Sequence, residues 1–394
     1  MINITDNAKE QAIIPILRLA FRPFFLLGSG YAIVAISIWV WMFNVGQPSL
    51  LQVPAVWWHV HEMLFGFSMA IVVGFVLTAI QNWTGVPGTK GYRLGLMVAL
   101  WLLARLLFWM PVSIWVICFI ESLFLLYVAY EIGYRIVVTK GWRNLFFLPL
   151  FLLAIGANIA SYSVLDKLLP FSASDVWQAM MWWFTLLLSV MGGRVIPFFT
   201  ARKLNFSPPI PIKLVEWGSS LVLSLLFILS FSPTVFNQFG PSLMLVAGGL
   251  QTIRLFRWKP WKTIKVPLLW SLHLAYFCIP MSLILRGLSY NHPFEHHMLH
   301  LFVIGALAGL ILSMTTRVTM GHTGRAIYQG PNMMWGFVAL MSAAMCRSIM
   351  VGLFPNAILL WVNISAILWG CAFGYYLLRF GKMLVTKRVD GYPG

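Results

Sequence analysis

Histidine is the commonest side-chain ligand for transition metals and titrates near neutral pH. This chain of 394 residues has 8 of them, and most fall in two short clusters. Trp57–Met63 reads W-W-H-V-H-E-M, with His59, His61 and the carboxylate of Glu62. His292–His300 reads H-P-F-E-H-H-M-L-H. Residues two apart point to opposite sides of a helix, or to one side of an extended chain, so His59 and His61 share a site only in the second case. His296 and His300 are four apart and share a helical face. Imidazole suits iron and copper, and a haem iron takes one or two axial ligands. Gly66, Gly305 and Gly309 follow the clusters. They leave room for close helix packing or for a flat macrocycle. The competing reading is a set of interfacial histidines hydrogen-bonded to water. His292 and His297 fit that reading best.

Two histidines stand apart. His273 is expected about 10 Å inside a helix by helical rise, either as a satisfied core residue or as a ligand or proton-relay group. His322, in G-H-T-G-R, is separated from His300 by about 33 Å if the helix is continuous. The two then cannot ligate one metal, and His322 either serves a second site with His273 or caps its helix. Arg22, Arg194, Arg317 and Arg325 flank these positions. Each is a topology marker or a fork for an acidic ligand such as a haem propionate. Arg194 lies in G-G-R-V-I-P-F-F-T, where the glycines and Pro197 are expected to end a helix. Glu62 and Glu121 are proton-path candidates; otherwise Glu121 pairs with a neighbour such as Arg105.

The elements that position these groups are membrane helices. Apolar residues make up 60% of the chain and charged residues 9%, which excludes an ordinary soluble domain and disorder. The apolar runs are solid and long, unlike the weak alternating segments of a membrane β-barrel. Twelve runs are expected as spans of an all-α polytopic membrane protein: 24–44, 58–80, 93–111, 113–135, 145–163, 174–192, 214–232, 239–256, 266–287, 294–317, 332–352 and 356–379. With the N-terminus inside, all of the 27 basic residues, Lys9 among them, fall on the inner face except Arg105, Lys167, Arg286 and Arg347. That asymmetry predicts cytoplasmic N- and C-termini and accounts for the net charge of +17 without nucleic acid. The first 22 residues are too polar for a cleavable signal peptide. Ile13–Phe25 reads as a short amphipathic stretch on the inner surface.

The chain is expected to form a single transmembrane domain, residues 1–394. It carries a weak internal similarity: with His61 on His300, Gly66 falls on Gly305, Thr84 on Thr323 and Gly85 on Gly324. This relates helices 2 and 10. Cys118, Cys278, Cys346 and Cys371 lie in apolar runs with no metal spacing, so they read as small core residues. There is no C-x-x-C-H for covalent haem, no Walker motif and no serine-hydrolase elbow.

The motifs together resemble the NnrS family of bacterial membrane proteins over nearly the whole chain. They are F-R-P-F-F at Phe21–Phe25, W-H-V-H-E-M-L-F-G at Trp58–Gly66, N-W-T-G at Asn82–Gly85, G-G-R-V-I-P-F-F-T at Gly192–Thr200, His273, and the His300–Arg325 stretch. The resemblance implies twelve helices, haem and copper, and a link to nitric oxide and nitrosative stress. By motif it carries over His59, His61, His273, His300 and His322 as the family histidines. The expectation is a haem b protein of the bacterial inner membrane that reduces nitric oxide to nitrous oxide. His61 and His300 are the expected axial ligands, His59 the next ligand, and His273 and His322 a second site holding copper or another haem. Arg194, Arg317 and Arg325 would attend the cofactors, and a quinol or a cytochrome would supply electrons. The alternative is a membrane transporter or exporter of a metal, haem or nitrosylated iron species.

Overall fold

The computed structural model describes residues 10–392. Lys9, expected on the inner face, lies outside the described residues. Of the described residues 79% are helical, and no strand occurs among them. Each expected run coincides with a helix: α1 (Phe21–Val45), α2 (Ala55–Thr84), α3 (Tyr92–Leu107), α4 (Ile114–Val138), α5 (Phe147–Ser163), α6 (Ala173–Leu204), α7 (Lys213–Leu229), α8 (Pro233–Arg257), α9 (Pro267–Leu288), α10 (Phe294–His322), α11 (Met334–Leu353) and α12 (Pro355–Val385). Nine helices among the described residues are long and apolar enough to cross a membrane. The others are α3 and α7, with 16 and 17 residues, and α8, whose 25 residues include Asn237, Gln238, Gln251 and two arginines.

Contacts divide the chain into two compact units. One comprises Met1–Ala173, Thr315–Pro331 and Phe373–Gly394; the other comprises Ser174–Met314 and Asn332–Ala372. In the first, α1 packs on α2, and α4 packs on α2, α3 and α5. The approach of α1 to α2 depends on missing side chains. A Cβ on Gly74 would lie 2.8 Å from Phe24 Cβ, and one on Gly28 would lie 2.8 Å from Ile71 Cδ1. Small residues let helices approach closely where lipid supplies no hydrophobic drive. In the second unit, α8 packs on α7 and α9, and α10 packs on α9 and α11.

Three expectations change. Pro197 does not end α6, which runs on to Leu204 and stops at Asn205 with φ 53°. A proline removes one hydrogen bond, and membrane helices tolerate that because neighbouring groups satisfy the freed backbone. The stretch Ile13–Phe25, expected to lie amphipathic on the inner surface, is not one element, and its Arg18 and Arg22 are buried. It holds a short 3-10 turn, Pro15–Leu17, before α1. Arg18 donates to the carbonyls of Ile13 (2.9 Å) and Gln11 (3.0 Å). Arg22, fully buried, donates to Leu384 O (3.0 Å) and Thr386 O (2.7 Å) at the end of α12. A cation there satisfies carbonyls left without partners and complements the helix dipole. Lastly, α2 is helical from Ala55, so His59 and His61 diverge rather than share an extended edge.

Candidate functional site

The first unit encloses a buried cluster centred on His61. The ring is fully buried between Trp57 (centroids 4.5 Å apart, 12° between planes) and Phe65 (4.9 Å, 28°). Its Nδ1 faces Glu62 Oε1 at 3.2 Å. Its Nε2 faces Asn158 Oδ1 at 3.2 Å and Glu121 Oε2 at 3.3 Å. Arg105 from α3 joins the two carboxylates, with Nε 2.8 Å from Glu62 Oε2 and Nη2 against Glu121 Oε1. Tyr31 of α1 donates to Glu62, and Tyr162 of α5 donates to Glu121 at 2.8 Å. Five helices therefore meet at one polar point inside apolar surroundings. A buried charge is tolerated only when paired and hydrogen-bonded. Both carboxylates meet those terms.

Local structure sets the geometry. Immediately after His61 the helix widens into a π-turn, Glu62–Ser68. Such turns leave carbonyls out of register, and they recur at functional sites. Trp101 Nε1 donates to the carbonyl of Gly66 at 3.0 Å. A Cβ on Gly66 would lie 2.9 Å from Tyr31 Cε1, 3.1 Å from Glu62 Oε2 and 3.3 Å from Arg105 Nη1. Only glycine lets α1, α2 and α3 close around the carboxylate. In α10 a second π-turn, Leu301–Ala308, likewise begins at the residue after His300.

His61, Glu62 and Glu121 are the one group of three or more His, Cys, Asp or Glu among the described residues whose donor atoms lie within 4.8 Å of one another. The adjoining void is about 10 Å³ and is lined by Phe65, Trp101, Arg105 and Glu121 among others. That is near the space of one water. Of the three donor residues, Glu121 lines this void. A haem does not fit at His61: both ring faces are covered, and both nitrogens face side-chain oxygens.

The remaining expected residues lie elsewhere. His59 is half-buried and stacks on Trp39 (4.3 Å, 14°). The His322 ring lies 5.6 Å from Phe21, and its carbonyl accepts from Arg388 Nη1 at 3.2 Å. Arg317 donates to Tyr328 OH at 2.8 Å, and Arg325 contacts Thr323 O at 3.4 Å. These belong to the first unit. In the second unit, His300 is half-buried with Nδ1 3.4 Å from His296 O, and Arg194 is exposed. His273 is buried in α9, with Nε2 2.9 Å from Thr200 Oγ1.

Sequence reasoning missed a second buried network. Arg254 of α8 binds Glu216 of α7 through two nitrogens (3.1 and 2.7 Å) and donates to Ser189 (2.7 Å), Gln251 (3.0 Å) and Tyr276 (3.0 Å). Arg254 had been placed among the inner-face charges. The available signal was an acid and a base inside two neighbouring apolar runs, which is costly unless they pair. Tyr31, Asn158 and Tyr162 were also missed; nothing in their local sequence marks them.

A search of curated proteins finds no match to the chain. The family model described as NnrS protein matches residues 15–388. With nearly its whole length matched, the chain belongs to the NnrS family.

Proposed function

We propose that this protein reduces nitric oxide within the membrane, with His61, Glu62 and Glu121 holding a redox-active metal ion. The observation that carries the reading is the fully buried imidazole and its two carboxylates, with donor atoms within 4.8 Å. Membership of the NnrS family adds a link to nitric oxide and to a multi-pass membrane protein. Copper accepts nitrogen and oxygen donors, and when bound it would pass single electrons. The overall change is two nitric oxide molecules, two electrons and two protons giving nitrous oxide and water.

The chain's own residues do the rest. Nitric oxide is small and neutral, so it reaches a site among apolar helices through the bilayer. The Tyr31 and Tyr162 hydroxyls donate to the Glu62 and Glu121 carboxylates and orient them. Arg105 balances their charge. Trp57 and Phe65 keep water from His61. In this proposal the haem is assigned to His300 and not to His61, all twelve helices span a bacterial inner membrane, both termini are cytoplasmic, and the helix 2–helix 10 similarity is an internal repeat. The paired π-turns after His61 and His300 support that last element.

The test is a copper and iron count on purified protein in nanodiscs, with nitric oxide loss and nitrous oxide formation measured under a chemical reductant. Wild type should hold metal and consume nitric oxide. His61→Ala and Glu121→Gln should lose the metal, and His300→Ala should lose the haem bands. Folded protein that stays metal-free after supplementation, yet moves a metal across vesicles, would replace this reading with the exporter.

A further inference from the structure

The end of α8, the α8–α9 connection and the first half of α9 border an open groove of about 490 Å³, within the range of cofactor and ligand sites. Its walls include Phe256, Trp261, Trp270 and Phe277; besides the two indole N–H groups, Thr263 and His273 are its polar side chains. No Lys, Arg, Asp or Glu lines it.

The hydrogen bonds determine what these two polar groups offer. The Thr200 hydroxyl has one hydrogen, and it is donated to Ile196 O at 2.8 Å. Thr200 Oγ1 therefore accepts from His273 Nε2–H at 2.9 Å. The neutral ring then carries its lone pair on Nδ1. That atom is buried and has no hydrogen-bond partner among the described residues. Thr263 donates its own hydrogen to Pro260 O at 2.6 Å, which leaves it as an acceptor too. A ligand that satisfies His273 Nδ1 and Thr263 Oγ1 brings O–H groups and, for the surrounding rings, an aromatic or apolar body.

We propose that this groove binds a membrane hydroquinone, with one hydroxyl donating to His273 Nδ1. A haem carries two carboxylates and would find no cation in the wall. A bare metal ion would find one donor. A lipid acyl chain has no O–H. A hydroquinone fits each condition: a flat ring among aromatic side chains, hydroxyl donors, and an apolar tail that stays in the bilayer. The site deepens the function proposed above and rests on it for the fate of the electrons. On oxidation the hydroquinone loses two O–H protons and two electrons and becomes the quinone. His273 Nδ1 takes the first proton, and the electrons pass to the redox centre. Summed with the nitric oxide reaction, one hydroquinone and two nitric oxide give one quinone, one nitrous oxide and one water.

The experiment is anaerobic equilibrium dialysis of duroquinol (tetramethylhydroquinone) against the full-length protein in nanodiscs, with empty nanodiscs subtracted. Binding should saturate. Duroquinone and the dimethyl ether of duroquinol, which lack the O–H donor, should bind about tenfold more weakly, as should His273→Ala. His273→Gln keeps an acceptor and should recover part of the affinity. Leu274→Trp, which fills the groove from its exposed wall, should abolish binding without disturbing the fold. Equal binding of all three probes, unchanged binding by His273→Ala, or loss of haem bands in that variant each overturns the site. Nitric oxide consumption with a chemical reductant is measured in parallel. Protein that consumes nitric oxide but binds no duroquinol loses this site and keeps the proposed function. His273-dependent binding without nitric oxide consumption does the reverse.

Discussion

His61 Nε2 lies 3.3 Å from Glu121 Oε2, while the same carboxylate group is paired through its other oxygen with Arg105. The imidazole and the guanidinium thus share one acid, and Arg105 shares a second, Glu62, with His61. Each group in this ring has two partners, so removing any one leaves its two neighbours with a single partner each.

The order of damage follows from that. Arg105→Leu removes the one permanent cation that both buried carboxylates share, whereas Glu121→Leu leaves Arg105 with Glu62. Breaking a buried pair costs about 3–5 kcal/mol. Arg105→Leu should sit at or above the top of that range and Glu121→Leu below it, read from thermal unfolding in detergent. Equal losses would mean that Glu62 and Arg105 do not depend on each other.

Gly66 and Gly30 provide a paired test of close approach. A Cβ on Gly66 would press on Tyr31, Glu62 and Arg105, whereas one on Gly30 would meet nothing within 4 Å. Gly66→Ala should cost about 1–3 kcal/mol by overpacking and should reduce metal retention. Gly30→Ala should be neutral or stabilising by up to about 1 kcal/mol. The same unfolding assay reads both, and a harmless Gly66→Ala would contradict the packing described.

Thr200 holds the tautomer of His273. In Thr200→Val the Nε2–H loses its acceptor and the ring is free to turn its proton to Nδ1. Duroquinol affinity should fall roughly fivefold, the size of one neutral hydrogen bond, with no change in the metal count. Nitrogen-15 shifts of the His273 ring would report the tautomer directly.

The chain's last described residues fold back on the G-H-T-G-R turn. Val389 N–H donates to Thr323 O at 3.3 Å, and Arg388 bonds both Asp390 (2.9 and 2.6 Å) and His322 O. Gly324, at φ 78°, has the Asp390 carboxyl against the space where a Cβ would sit. Arg388 holds the Asp390 carboxyl below its usual range. A depressed folded-state pKa means the contact's stabilisation is present above the ordinary aspartate range and fades as pH falls through the lowered value. Proteolysis after Arg388 should therefore be slow at neutral pH and speed up in acid, and Asp390→Asn should be fast throughout.

The helices, their positions and the acid and base residues inside them were legible in the sequence. Run length and intrahelical hydrogen bonding are local properties, and bilayer thickness sets a threshold that local composition meets or fails. Expected run 58–80 and helix Ala55–Thr84 agree for that reason. The Arg105–Glu121 pair was legible as a need, because neither charge can stay alone in a span. What the chain could not declare is azimuth. Whether His61 turns toward a metal, a carboxylate or a macrocycle depends on a π-turn that rotates the helix after it and on Trp57 and Phe65 closing over its faces. Tyr31 and Asn158 reach the same point from helices far apart in sequence. The length of α6 past Pro197 and the bare Nδ1 of His273 were settled likewise, by neighbours supplying or withholding a hydrogen-bond partner. Hydrophobicity tells a residue to enter the membrane; only packing between helices tells it which way to face.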